Sequence, residues 1–162
     1  KAYCYNNNNA NGEANMYGAL YTWAAAMNGS SSSDDNPSGV QGICPNGWHL
    51  PSDAEWKELE ILLGMTQNQA NSTGFRGDNI GEKLKSSSEW NGTNICGFNA
   101  LPGGHRSNNG TFYGLSSTAE FWSSTTNQWQ KVYYRGLESS FSQVKRDLYE
   151  KDGGLSVRCV KN

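Results

Sequence analysis

Gly153-Gly154-Leu155-Ser156-Val157-Arg158-Cys159-Val160 is a short β-branched run behind a Gly-Gly turn, with one cysteine inside it. A cysteine there can staple a late strand to a distant part of the chain. The partner suggested by the sequence is Cys44, in Gly42-Ile43-Cys44-Pro45-Asn46-Gly47-Trp48-His49-Leu50-Pro51. That bond would close a loop of more than a hundred residues and make the chain one looped-back domain, 1–162. Sequence alone does not choose among the three connectivities that Cys4, Cys44, Cys96 and Cys159 allow. There is no Cys-x-x-Cys, so zinc spacing is absent and disulfides in an oxidising compartment are the better reading.

Composition agrees with an extracellular, loop-rich domain. The chain has 162 residues, one domain by size, and a formal charge of −2, with no basic footprint for nucleic acid or an anionic membrane. Charged residues make up 17 % and aromatics 12 %, so polarity comes from Asn, Ser, Thr and Gly. No run of ~18 apolar residues exists, so no membrane-inserted helix is expected. The sequence begins at Lys1 without an initiator Met or a leader, and reads as a mature or trimmed product.

Moving outward from Cys44, Pro51 precedes Ser52-Asp53-Ala54-Glu55, a capping box, and Trp56, Leu59 and Leu63 then share one helical face until Gly64. A second helix is predicted over Asp78 to Ser86, with Ile80 and Leu84 inward. Residues 5–16 are Asn-rich and read as loop, Tyr17 to Trp23 as a strand, and Ala24 to Met27 as the start of a short helix. Residues 28–41 read as an exposed Ser-rich loop with almost nothing to bury. After Trp90 come short β runs: 97–101, 112–115, 120–125, 131–137, 143–149 and 155–160, with His105 in the turn after Pro102-Gly103-Gly104. The order predicts an α+β fold, helices flanking small antiparallel sheets with long loops.

Five ordered blocks carry a resemblance. They are Gly18-x-Leu20-Tyr21-x-Trp23-Ala24-x-Ala26-Met27, the Gln41 to Trp56 stretch around Cys44-Pro45 and Trp48-His49-Leu50-Pro51, Gly97-Phe98-x-Ala100-Leu101-Pro102-Gly103-Gly104, Phe121-Trp122-Ser123-Ser124-Thr125, and Ser156-Val157-Arg158-Cys159-Val160-Lys161. From about residue 3 onward the chain resembles the Fibrobacter succinogenes major paralogous domain, a family of secreted and surface proteins common in Bacteroidetes and Fibrobacteres. The Trp-His-Leu-Pro-Ser-x-x-Glu-Trp block is also similar to formylglycine-generating-enzyme-like domains. That likeness implies a C-type-lectin-like architecture with two helices, a small sheet joining the termini and a second sheet carrying long loops.

The resemblance also has departures. Family members usually carry an upstream segment, which implies that it is missing here or supplied by another chain. A second early cysteine is common where Gly12-Glu13 stands. Cys96 sits where Ser or Thr is commoner, and this is the basis for pairing it with Cys4 beside Cys44–Cys159.

For chemistry, the sequence offers little that is catalytic. His49 lies in the structural block before the capped helix, His105 reads as surface-exposed, and no nucleophile-elbow pattern or reactive thiol pair is recognisable. No enzyme activity is therefore expected, with formylglycine-generating-type chemistry the least favoured alternative. The Glu-Pro-Asn, Gln-Pro-Asp and Trp-Asn-Asp motifs of calcium-dependent lectins are absent; Asp34-Asp35-Asn36 alone offers oxygen ligands for calcium, and no other cofactor or metal is expected.

The 127–150 region gathers Trp129, Tyr133, Arg135, Glu138, Phe141, Gln143, Lys145, Asp147 and Tyr149. Alternation would put Val132, Tyr134 and Val144 inward and Tyr133 and Arg135 outward. The family's divergence is concentrated here, which implies a ligand face. The expectation is an extracellular or cell-surface recognition module, as in an adhesin or fimbria, that binds a glycan or protein ligand. The alternative is an assembly subunit of a surface fibre in contact with a neighbouring subunit.

Overall fold

The computed structural model describes residues 3–9 and 13–162. The elements are β1 (Tyr3–Cys4), α1 (Glu13–Tyr17), β2 (Leu20–Tyr21), α2 (Trp23–Met27), β3 (Trp48–His49), α3 (Asp53–Leu62), α4 (Gln67–Asn71), β4 (Gly74–Arg76), α5 (Ile80–Leu84), β5 (Gly103–Arg106), β6 (Phe112–Leu115), β7 (Thr118–Thr126), β8 (Val132–Glu138), β9 (Val144–Tyr149) and β10 (Val160–Lys161). This is an α+β chain built on a six-stranded sheet of order β4-β9-β8-β7-β5-β6, with two small pairs, β1-β2 and β10-β3.

The 155–160 run is not one continuous strand: Gly154, Leu155 and Ser156 make single bridges, and only Val160–Lys161 is strand. Leu155 is fully buried and exchanges backbone hydrogen bonds with Tyr21, while Ser156 N donates to Glu120 O and Trp122 N donates to Ser156 O. Residues 155 and 156 thus splice β2 to β7 before the chain reaches the Cys44–Cys159 disulfide, which joins residues 115 apart. Beyond it, Val160 pairs with His49. Gly42 seats Cys44: at φ +56 its backbone passes so close to α2 that a Cβ would lie 2.2 Å from Ala26 O. No other residue type fits both demands.

α3 carries the full capping box, with Ser52 Oγ accepting from Glu55 N and Glu55 Oε2 accepting from Ser52 N. Trp56 is only 3 % exposed, and its ring lies against Phe98 (5.7 Å) and Phe121 (6.0 Å). Trp56→Ala is expected to cost about 3–5 kcal/mol through lost transfer energy and a residual cavity. Urea unfolding measures this, and an unchanged midpoint would contradict the packing.

The largest departure from expectation is that β7 and β8 are covered on both faces. One face presents Trp122, Val132 and Tyr134 to Trp23, Met27, Leu50 and Leu155. The other presents Phe121 and Leu137, with Val144 of β9 beside them, to Trp56, Met65, Ile80 and Leu84. Arg135 is therefore not outward: it is 1 % exposed, held beneath α3.

Local assignments shift for identifiable reasons. Trp23 belongs to α2 because Thr22 caps that helix. Asn6–Asn8 form a 3-10 turn and Glu13–Tyr17 a helix within the stretch read as loop, whose residues 10–12 lie outside the described ones. α5 is shorter than predicted, but Ile80 and Leu84 face inward as expected. The 97–101 run is not a strand, Ala100 making only a single bridge to Lys85, and the Gly103-Gly104-His105 turn is instead β5. Gly104 supplies the positive φ, +68, at a point where a Cβ would meet Tyr113 O at 2.4 Å. Cys4 and Cys96 are free thiols and not a second disulfide. Cys4 lies on β1 opposite Leu20, while Cys96 Sγ donates to Lys83 O in the loop after α5.

Candidate functional site

β7 and β8 are joined by a tight turn over residues 127–131. Asn127 Oδ1 accepts from Trp129 N (3.1 Å) and Lys131 N (2.9 Å), and Asn127 N donates to Lys131 O. Gln130 takes a left-handed conformation, φ 62, to close it. The side-chain oxygen thus does the work of a backbone acceptor, as asparagine does in turns. At the tip stands Trp129, 71 % exposed.

The Ser-rich loop, read from sequence as bare solvent-exposed chain, is fastened along the end of β7. Ser33 N donates to Ser124 O, Ser124 Oγ donates to Ser33 O, and Thr126 N donates to Ser32 Oγ. Asp34 Oδ1 accepts from Thr125 Oγ1 (3.1 Å) and from Ala54 N (3.1 Å) in the first turn of α3. Asp35 O accepts from Ser52 Oγ, and Asn36 Nδ2 donates to Glu58 Oε2. The three residues considered for calcium are thus spread over separate partners. Among the described residues, no group of three or more His, Cys, Asp or Glu gathers to hold a metal ion.

A groove of about 500 Å³ is lined by Asp34 of this loop, by Thr125, Asn127 and Trp129 at the end of β7 and in the turn, and by Tyr133 and Leu148. Asn127 Nδ2 is buried without a hydrogen-bond partner. An orphaned amide donor of this kind costs on the order of 1–3 kcal/mol, which a ligand acceptor or water would relieve.

Of the residues expected on one ligand face, only Trp129 and Tyr133 meet at this groove. Phe141 stacks on Phe75 at 4.0 Å, and Lys145 Nζ lies 5.4 Å over the same ring. Glu138 offers its backbone oxygen to the buried Lys85 Nζ. Gln143 is half-buried next to α5, its backbone oxygen so near Gly81 that a Cβ there would lie 2.3 Å away. Asp147 accepts from Leu148 N, and Tyr149 packs edge-on against Tyr134 at 5.6 Å.

Arg135 sits in a buried ionic cluster. Its Nη1 donates to Asp53 Oδ1 (2.7 Å) and its Nε to Glu60 Oε1 (2.6 Å). Arg146 donates to both Asp53 oxygens (2.8 and 2.7 Å), and Arg76 Nη2 donates to Glu60 Oε2 (2.6 Å). Burial alone would raise the Asp53 carboxyl, but Arg146 and Arg135 hold it well below the usual carboxylate range. Arg146 also lies 4.1 Å under the Tyr133 ring, fixing the groove floor. The signal was present in α3, where Asp53 and Glu60 share the helical face of Trp56.

The two histidines differ. His49 lies 2.6 Å from Glu55 Oε1 and 2.6 Å from Asn162 Oδ1, and these partners outweigh burial and raise its pKa. His105 is not on the surface: it packs between Tyr113 (5.7 Å) and Tyr149 (5.9 Å), with Nδ1 3.3 Å from Glu120 Oε1. Burial pushes His105 down and Glu120 up to about 7, the reverse of what an ion pair does. Neither histidine lines the Trp129 groove.

A sequence model of the Fibrobacter succinogenes major domain matches residues 1–161, and the chain belongs to that family. No curated protein and no solved structure matches the chain.

Proposed function

We propose that this member of the Fibrobacter succinogenes major domain family is an extracellular, non-catalytic recognition module of C-type-lectin-like architecture. Its ligand, a glycan or a protein, binds at the Trp129 groove. The observation that carries this reading is a large indole, exposed but held on a hydrogen-bonded turn, above a concavity lined with hydroxyl and amide groups. An aromatic face offers stacking to a sugar ring or an anchor to a protein, at small conformational cost because the turn is already ordered. The lectin-like architecture is supported by the way 155–161 joins β2, β7 and β3, bringing early and late chain together. The Cys44–Cys159 disulfide supports an oxidising, extracellular setting.

The test is a glycan array run with and without EDTA, repeated with Trp129→Ala. Calcium-independent binding is expected. The variant should lose at least about 30-fold in affinity, as for a central aromatic anchor, while its melting temperature is unchanged. Binding unaltered in Trp129→Ala would remove the groove from the site.

A second reading, assembly with a neighbouring subunit, is favoured by a separate apolar groove of about 290 Å³ lined by Pro51, Trp56, Leu59, Phe98 and Val160, with Leu62 83 % exposed at its edge. A blank array together with concentration-dependent association would move the weight to that reading.

A further inference from the structure

We propose that the Trp129 groove selects neutral saccharides and rejects acidic ones, and that Asp34 sets this preference. The inference rests on the recognition reading above and names the ligand class. Among the described residues that line the groove there is no lysine or arginine, and Asp34 is the one carboxylate. Cations on the adjoining segments have partners of their own, Lys57 with Asp53 at 3.2 Å among them. Arg146, behind Tyr133, is buried against Asp53. Lys131 Nζ pairs with Glu150 at 2.7 Å, and Lys151 Nζ bonds Gln130 Oε1 at 3.0 Å. A uronate, sialate or sulfate brought to this groove would therefore meet a negative charge with no basic side chain at the groove to offset it.

Asp34 is also fixed in place. Its Oδ1 is held by Ala54 N and Thr125 Oγ1, so the carboxylate cannot swing away from an incoming anion. No described group donates to its second oxygen, which is free to accept from a sugar hydroxyl. A hydroxyl donor matches this acceptor, and the exposed Trp129 indole is available to stack on the C–H side of the ring.

The experiment uses neutral glycans, each printed beside its uronic-acid-terminated counterpart, with the wild-type protein and Asp34→Asn. The asparagine keeps the Oδ1 acceptor and with it the two anchoring hydrogen bonds. Wild type is expected to prefer the neutral member by about tenfold at low ionic strength, the effect of one like charge at partly screened range. The preference should shrink in about 1 M salt, where screening acts within about 3 Å. Asp34→Asn should bring the acidic member close to its neutral partner. The wild-type salt series tests the proposal without depending on any variant. Equal binding of both members by wild type, a preference for the acid, or discrimination unchanged in Asp34→Asn would each overturn it. Trp129-dependent binding without charge discrimination would sink this inference alone, whereas no glycan binding at all would sink the glycan reading with it.

Discussion

Arg135→Met is expected to destabilise the protein by about 3–5 kcal/mol, more than the loss of any surface ion pair, because it removes charge-assisted hydrogen bonds from two buried carboxylates and leaves Glu60 Oε1 without a donor. Asp53 and Glu60 both bond the Arg135 guanidinium, and all three side chains are almost fully buried. Methionine keeps the apolar stem but is shorter and lacks the guanidinium, so the loss combines those hydrogen bonds with the space the guanidinium leaves. The same substitution at Lys131, whose partner Glu150 is about half exposed, is expected to cost less than about 1 kcal/mol. Equilibrium urea unfolding of the two variants supplies the comparison. If Arg135→Met behaves like Lys131→Met, the cluster is not the dry network described here. The converse design sharpens the test: replacing Asp53, Glu60, Arg76, Arg135 and Arg146 together with apolar residues should recover much of the loss, since no buried charge of the cluster is then left unpaired.

The same cluster shows why part of the fold was legible in the sequence and part was not. α3 could be read because its signals are local: Ser52 and Glu55 cap it, and Trp56 marks its buried face. β7, β8 and β9 could be read because aromatic and β-branched runs lie between turn residues. Strand alternation then misassigned Arg135. Alternation tells which residues share a face, but not whether that face meets water or a helix, and here α3 covers it with Asp53 and Glu60. The groove was missed for a related reason. A Ser-rich loop has little apolar surface to bury, yet Ser32, Ser33 and Asp34 satisfy the polar edge of Ser124, Thr125 and Thr126. Hydrogen-bond complementarity between segments ninety residues apart leaves no periodic trace. Trp129 and Tyr133 were identified, but the other residues grouped with them do not share one open face, since β8 is covered on both sides.

Removing the Cys44–Cys159 disulfide is expected to cost about 3–5 kcal/mol, the other large effect. In the chain-entropy picture, the stabilisation grows with the loop closed, and a separation of 115 residues lies near the upper end, at roughly 5 kcal/mol. The native pairing on either side of the bond is thin. Beyond Leu155 and Ser156 it consists mainly of the two-residue β3–β10 pair and the hydrogen bond from Asn162 N to Gly47 O. Cys44→Ala/Cys159→Ala should therefore lower the unfolding midpoint and also open residues 157–162 locally, seen as faster amide exchange there than at Leu155. The pairing itself is checked by titrating thiols in denaturant: two without reductant, Cys4 and Cys96, and four with it. No thiol in the first titration would establish a second disulfide and restore the Cys4–Cys96 bond that the structure leaves open. A stability loss under about 1 kcal/mol would mean that the buried Leu155 splice closes the loop by itself. The cysteines would then serve to hold the last strand against β3 and not to hold the domain together.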